Sequence, residues 1–184
     1  MAVSSKALAN YLLDLAEAEG IPVSPMKLQK LVYYCQGWHL AIVGKPLIDE
    51  QVEAWKFGPV VETLFHEFKR YGKEPIESKA IRFVKSDSEE SFLGLESIVP
   101  SIDSECTDTM EADNAKRVAK KVWDVYKVYS AERLSNMTHK TGTPWEVTVA
   151  RFDGNPPKGT DIPADLISQH FEELLNQRLS ANEK

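Results

Sequence analysis

The stretch from Ser24 to Gly44, S-P-M-K-L-Q-K-L-V-Y-Y-C-Q-G-W-H-L-A-I-V-G, constrains the fold more than any other part of the chain. Ser24 supplies an N-cap, and Pro25 takes the first helical position, where its missing N–H costs nothing. Leu28, Leu31, Val32, Cys35, His39 and Ile42 recur at helical spacing, and Gly44 with Pro46 gives the stop. The spacing predicts a helix over 25–43 that lays one apolar stripe against a core. Lys27 and Lys30, three apart, fall near the edge of that stripe.

Similar reasoning places the other elements. Leu8, Tyr11, Leu12 and Leu15 predict a first helix over 5–19, closed by Gly20 and Pro22. Between Leu47 and Phe57 the period shortens. Leu47-Ile48 and Val52–Trp55 read as two short strands about an Asp49-Glu50-Gln51 turn. Gly58-Pro59 reads as a strand-to-helix turn, opening a helix with Val61, Leu64, Phe65 and Phe68 on one face. Ile81–Val84 reads as a strand. Ala115, Val118, Ala119, Val122, Val125 and Tyr126 predict a helix over 111–129. Ser130 caps a short helix carrying Leu134 and Met137, and Thr143-Pro144-Trp145-Glu146 is a capping box. Leu166, Ile167, Phe171 and Leu174 belong to a closing helix. The expectation is a single mostly α (α+β) domain over 1–184, with about six helices and a small β-hairpin.

At 184 residues such a chain can bury a substantial core. No apolar run approaches a membrane span, and the first residues lack the apolar stretch of a signal peptide, so a cytoplasmic protein is expected. Charge is uneven. Ser86–Asp113 holds nine acidic residues and no Lys or Arg, against a net of −6 for the whole chain, so the remainder carries +3. The part over 86–110 reads as an irregular acidic surface segment, with Phe92, Leu93, Leu95, Ile98 and Val99 available to dock it. The overall acidity argues against wrapping a nucleic-acid backbone.

Several constellations invite chemistry. Cys35 and His39 share a helix face, but no second ligand pair accompanies these two, and a buried cysteine is the simpler reading. Ser135 and His139 sit at helical spacing, as a nucleophile and base could, without a G-x-S-x-G elbow or a phosphate-binding glycine pattern. Lys116, Arg117, Lys120 and Lys121, with Lys127 further on, make a basic helix side that a DNA-associated regulator could use, or that is simply a solvated face. Trp38, Trp55, Trp123, Trp145, Tyr33, Tyr34 and Phe57 are many large rings for one small domain; any exposed beside a cation have hot-spot character.

Read in order, these segments resemble the Panacea domain, also called the SocA-type antitoxin domain, of bacterial and phage toxin–antitoxin systems. The residues that carry the likeness are Lys27-Leu28-Gln29-Lys30-Leu31, Tyr33-Tyr34, Gly44-Lys45-Pro46-Leu47, Glu53-Ala54-Trp55 and Gly58-Pro59-Val60. Tyr129-Ser130-Ala131, Leu134-Ser135, Thr138-His139 and Pro144-Trp145 follow, and Ile162–Phe171 resembles the family's closing helix. The acidic middle matches poorly. The resemblance implies a non-enzymatic antitoxin without cofactor or metal, which neutralises a cognate toxin by direct contact. For the SocA type it further implies an adaptor that presents the toxin to an AAA+ protease of the ClpXP kind. The residues expected at a partner surface are Lys27, Lys30, Tyr34, Trp55 and Lys56, so that Lys27→Glu/Lys30→Glu should weaken toxin binding and spare the fold. The acidic segment could meet a basic toxin surface. A DNA-associated regulator using the 111–129 helix is the alternative.

Overall fold

A computed structural model describes residues 2–86 and 92–182. Its axis is α2 (Pro25–Val43), begun by the Ser24 hydroxyl accepting from the Lys27 N–H and ended by Gly44 at φ 72°. Every residue from Lys27 to Leu40 is buried, because α1 (Ser5–Ala18), α5 (Thr109–Tyr126), α6 (Ala131–Thr138) and α8 (Ala164–Asn182) surround it. The predicted helix is there with its predicted ends, but it is buried all round rather than along one stripe.

Burial on this scale obliges each polar side chain of α2 to find a partner. Gln36 Oε1 accepts from the N–H groups of Leu47 (2.8 Å) and Ile48 (3.0 Å). Gln29 grips Val61 at both ends of its amide, donating to the carbonyl at 3.0 Å and accepting from the N–H at 2.9 Å. Trp38 Nε1 donates to the Tyr126 hydroxyl at 3.1 Å. The polar residues of the central helix thus hold the chain segments that pass over it.

The β structure departs from the sequence reading. β1 (Glu53–Trp55) pairs antiparallel with β2 (Gly58–Val60) around Lys56-Phe57, whereas Ile48 pairs in parallel with Val3. The predicted turn at Asp49–Gln51 is therefore displaced to Lys56-Phe57. The predicted helix start moves too: Pro59 is a strand residue, and α3 (Glu62–Phe68) begins after it. Gln36 explains the shift, because its two bonds hold Leu47 and Ile48 against α2 and remove them from any hairpin.

β3 (Arg82–Lys85), predicted nearly in place, pairs with β4 (Leu95–Ile98), which the sequence did not reveal. Asn10 ties the base of this ribbon, donating to the carbonyls of Ala80 (3.1 Å) and Pro100 (2.9 Å) and accepting from the Ala80 N–H (2.8 Å). Leu93, Leu95 and Val99, expected to dock the segment, are exposed, as is Phe83. α4 (Ile102–Glu105), opened by a Ser101 capping box, makes part of the acidic stretch helical. Asp87, Glu89, Glu90 and the side chain of Phe92 lie outside the described residues. The Asp108 carboxylate caps α5, which starts and ends slightly before its predicted limits. After α6 and α7 (Pro144–Ala150), α8 packs Phe171 against Tyr33, Tyr34 and Trp38. The mostly α reading holds, with eight helices and two small antiparallel ribbons among the described residues.

Candidate functional site

Lys30, Ser135, His139 and Trp145, scattered through the sequence, converge on the β1–β2 turn. Its backbone carbonyls are taken one after another by side chains from α2, α6 and α7. Trp145 Nε1 donates to the Trp55 oxygen at 2.8 Å, the Ser135 hydroxyl to the Phe57 oxygen at 2.9 Å, and the Lys30 ammonium to the Pro59 oxygen at 2.9 Å. His139 lies between two carbonyls, with Nδ1 2.7 Å from the Ser135 oxygen and Nε2 3.3 Å from the Lys56 oxygen. Its ring packs 3.8 Å from that of Trp145.

Gly58 is required here on two counts. Its φ of +98° is one that L side chains rarely adopt, and a Cβ would lie 2.6 Å from Thr138 Oγ1 and 2.8 Å from Lys30 Nζ. The opposite edge of β1 is covered as well: the Ala54 N–H donates to the Thr160 oxygen and the Ile162 N–H to the Val52 oxygen, both at 2.8 Å.

With its backbone locked, the turn can only present side chains. Phe57 is 63% exposed and Lys56 is exposed beside it, its ammonium 5.6 Å from the ring centroid. Trp55 is half-buried against Phe65, their centroids 4.8 Å apart. A hollow of about 260 Å³ lies on one flank, walled by Met26, Val60 and Phe65. One of about 610 Å³ lies on the other, walled by Trp145, Val149 and Pro156. An aromatic knob beside a cation, between two hollows, is the composition of an interface anchor. Because it is held rigid before contact, little ordering entropy is lost on binding.

The five residues expected at a surface divide. Trp55 and Lys56 are on this turn. Lys27, Lys30 and Tyr34 are buried rather than at a surface, because other elements enclose α2 from Lys27 to Leu40; Lys30 reaches the turn from beneath, whereas Lys27 and Tyr34 pack toward the end of α5. Lys30 is 1% exposed, and burial lowers its pKa to about 7. Lys27 donates to the Lys127 carbonyl at 2.6 Å, and burial lowers its pKa too. Tyr34 stacks on Tyr126 at 4.2 Å, and burial raises its hydroxyl's pKa. Sequence reasoning counted Phe57 among the large rings without placing it at the partner surface, and took Phe65 only as part of a helix face; the W-K-F-G order around a two-residue turn was the available signal.

The other constellations resolve locally. Cys35 is buried and its thiol pushed up by that burial, while His39 Nδ1 sits 2.7 Å from the Lys45 oxygen. Ser135 and His139 aim at different carbonyls and do not form a nucleophile–base pair. On α5, Lys116 pairs with Asp103, Lys120 with Asp124 at 2.6 Å and Lys127 with Glu19 at 2.6 Å, so much of the basic face is neutralised. The acidic stretch is tied to the body in the same way, Glu105 to Arg82 at 3.1 Å and Glu111 to Lys45 at 3.0 Å. No helix among the described residues is long and apolar enough to cross a membrane.

The family model described as antitoxin SocA-like, Panacea domain, matches residues 28–146, a span that contains the whole turn and Lys30, Ser135, His139 and Trp145. The chain is 35% identical over 170 residues to antitoxin SocA of Caulobacter vibrioides (strain NA1000 / CB15N), covering 92% of this chain and 82% of that protein. No solved structure matches.

Proposed function

Because the chain belongs to the SocA-like antitoxin family with its Panacea domain, we propose that it neutralises a cognate toxin protein in the cytoplasm by binding it through the Trp55-Lys56-Phe57 turn. The observation that carries this reading is an exposed Phe57 on a turn whose carbonyls accept from Trp145, Ser135 and Lys30, with the His139 ring 3.3 Å from a fourth. An aromatic ring left in water at the tip of so rigid a support gains most when a partner's pocket covers it; full burial of such a ring is worth about 1.5–3 kcal/mol. Lys56 beside it favours an acidic rim on that pocket. The chain acts as one unit in this reading, Lys30 and His139 fixing the turn rather than touching the toxin. Presentation of the captured toxin to a ClpXP-type protease is the second step of the proposal.

The test is co-expression with the product of the neighbouring gene. Rescued growth and a co-purifying complex are expected, both lost on Phe57→Ala while the helical circular dichroism is unchanged. A complex unaffected by Phe57→Ala and Lys56→Glu overturns the site, and no toxicity with no complex overturns the role. Rescue that fails in a ClpXP-deficient host supports presentation; rescue that persists there reduces the mechanism to masking.

A further inference from the structure

A second concavity, of about 320 Å³, opens away from the hairpin between α2, α5 and α8. Its floor is Trp38, Val118, Val122 and Leu175, and its lips carry Ile42 and Val125, which are 55% and 43% exposed. Val125, one of the apolar positions that predict the 111–129 helix, is on the groove's edge. Arg117, Lys121 and Arg178 stand around this apolar strip. Arg178 lies 4.6 Å over the Trp38 ring, and Arg117 donates to the Asn114 amide oxygen at 2.5 Å. Among the described residues none of these three cations is in an ion pair. Lys116 and Lys120 on α5, and Lys127 at its C-cap, each have a carboxylate. In a chain of net charge −6, three unneutralised cations around an apolar groove are charge awaiting a partner.

We infer that this groove receives an amphipathic helix of a protein partner, its apolar face on Trp38, Val122 and Val125 and its flanking Asp or Glu residues against Arg117, Lys121 and Arg178. The shape favours a helix. Residues 117, 121 and 125 form one i, i+4 ridge of α5, with 118 and 122 beside it, and run for about 12 Å. Such ridges accept the ridges of another helix. A second copy of this chain is disfavoured by like charge, since a two-fold contact sets the same three cations against each other. A nucleic-acid duplex would leave the apolar floor unmatched. The inference stands apart from the hairpin: neither needs the other.

The probe is a fluorescein-labelled peptide of about 18 residues, five helical turns, with Leu at i, i+3, i+4 and i+7 and Glu on both flanks, titrated into the full chain by anisotropy. A second peptide replaces every Glu by Lys. Saturable binding of the acidic peptide is expected, about ten-fold or more tighter than the basic one and weakened by salt. Arg117→Glu/Lys121→Glu should reverse that preference, Val125→Glu should abolish binding, and Phe57→Ala should leave it unchanged. All of these positions are exposed, so circular dichroism should not move. No binding, equal binding of the two peptides, or indifference to the charge reversal overturns the inference. So does displacement of the peptide by duplex DNA or anionic vesicles at lower concentration than by unlabelled peptide, or self-association of the chain that Val125→Glu removes.

Discussion

Lys30 and Pro59 meet where a buried cation has no buried anion: the ammonium donates to the Pro59 carbonyl oxygen at 2.9 Å, and among the described residues no ion pair accompanies it. Pro59 lies opposite Ala54 in the ribbon, so this bond fixes the strand that carries the exposed turn to the axis of the fold. A proline here is tolerated because a two-stranded ribbon has only edges, and the N–H that proline lacks need not face a partner. The contact makes the position of Phe57 depend on a side chain that itself touches no solvent.

The first consequence is a pH dependence with a definite sign. Burial brings the Lys30 pKa to about 7 in the folded chain, from 10.5 when unfolded. Between those values the unfolded chain holds a proton that the folded chain has released. Stability therefore rises with pH through this window, by up to about 1.4 kcal/mol per unit, and falls as pH drops through 7. Chemical denaturation of the wild type and Lys30→Met from pH 6.5 to 8.5 measures it, below the range where the Cys35 thiol and buried tyrosines add the opposite slope. The wild type should gain on Lys30→Met as the pH rises. Parallel curves would show that Lys30 is charged in the fold throughout.

The same burial reverses an expectation drawn from sequence. Lys27→Glu/Lys30→Glu would place anions among backbone carbonyls inside the molecule, where an uncompensated charge costs about 3–5 kcal/mol. The double variant should melt far below the wild type or fail to fold. Phe57→Ala should instead keep the wild-type Tm within a few degrees and lose toxin capture. Thermal melts of the two beside a pull-down decide it: a well-folded double variant would place these lysines nearer solvent than described.

Holding the turn is separable from being the turn. Trp145→Phe removes the bond to the Trp55 carbonyl while keeping an aromatic ring on His139, and Ser135→Ala frees the Phe57 carbonyl. Each should cost about 1–3 kcal/mol and speed amide exchange in residues 55–60 before the helices. Exchange that accelerates uniformly would mean that the turn opens only with global unfolding.

The helices were legible because caps and periodicity are local. Ser24-Pro25, Ser130 and Thr143-Pro144 start helices where the sequence says they do. Failures came wherever a distant residue decided. Gln36 holds Leu47-Ile48, moving the hairpin by several residues, and Asn10 gathers Ala80 and Pro100, making a ribbon of a stretch that reads as loop. Encirclement of α2 by four helices turned flanking lysines into core residues. The candidate site follows the same rule: Trp55 and Lys56 could be named from residue type alone, whereas the setting of Phe57 depends on Ser135 and Trp145 reaching across the chain.

Gly37 offers a test in which two local rules disagree. In the middle of a helix, alanine is ordinarily better than glycine by about 1 kcal/mol. At Gly37, however, a Cβ would lie 2.3 Å from Phe171 Cε2, with two more ring atoms at 2.5 Å. The ring cannot yield easily, being packed edge-on against Tyr33, Tyr34 and Trp38 at centroid distances of 5.2–6.1 Å. Overpacking of this kind costs about 1–3 kcal/mol, which outweighs the propensity gain. Gly37→Ala should therefore destabilise the chain, and Gly37→Ala/Phe171→Leu should be more stable than the sum of the two single changes predicts. The coupling is read from a denaturant double-mutant cycle. A stabilised Gly37→Ala, or strict additivity, would show that α8 shifts outward from α2 at no cost.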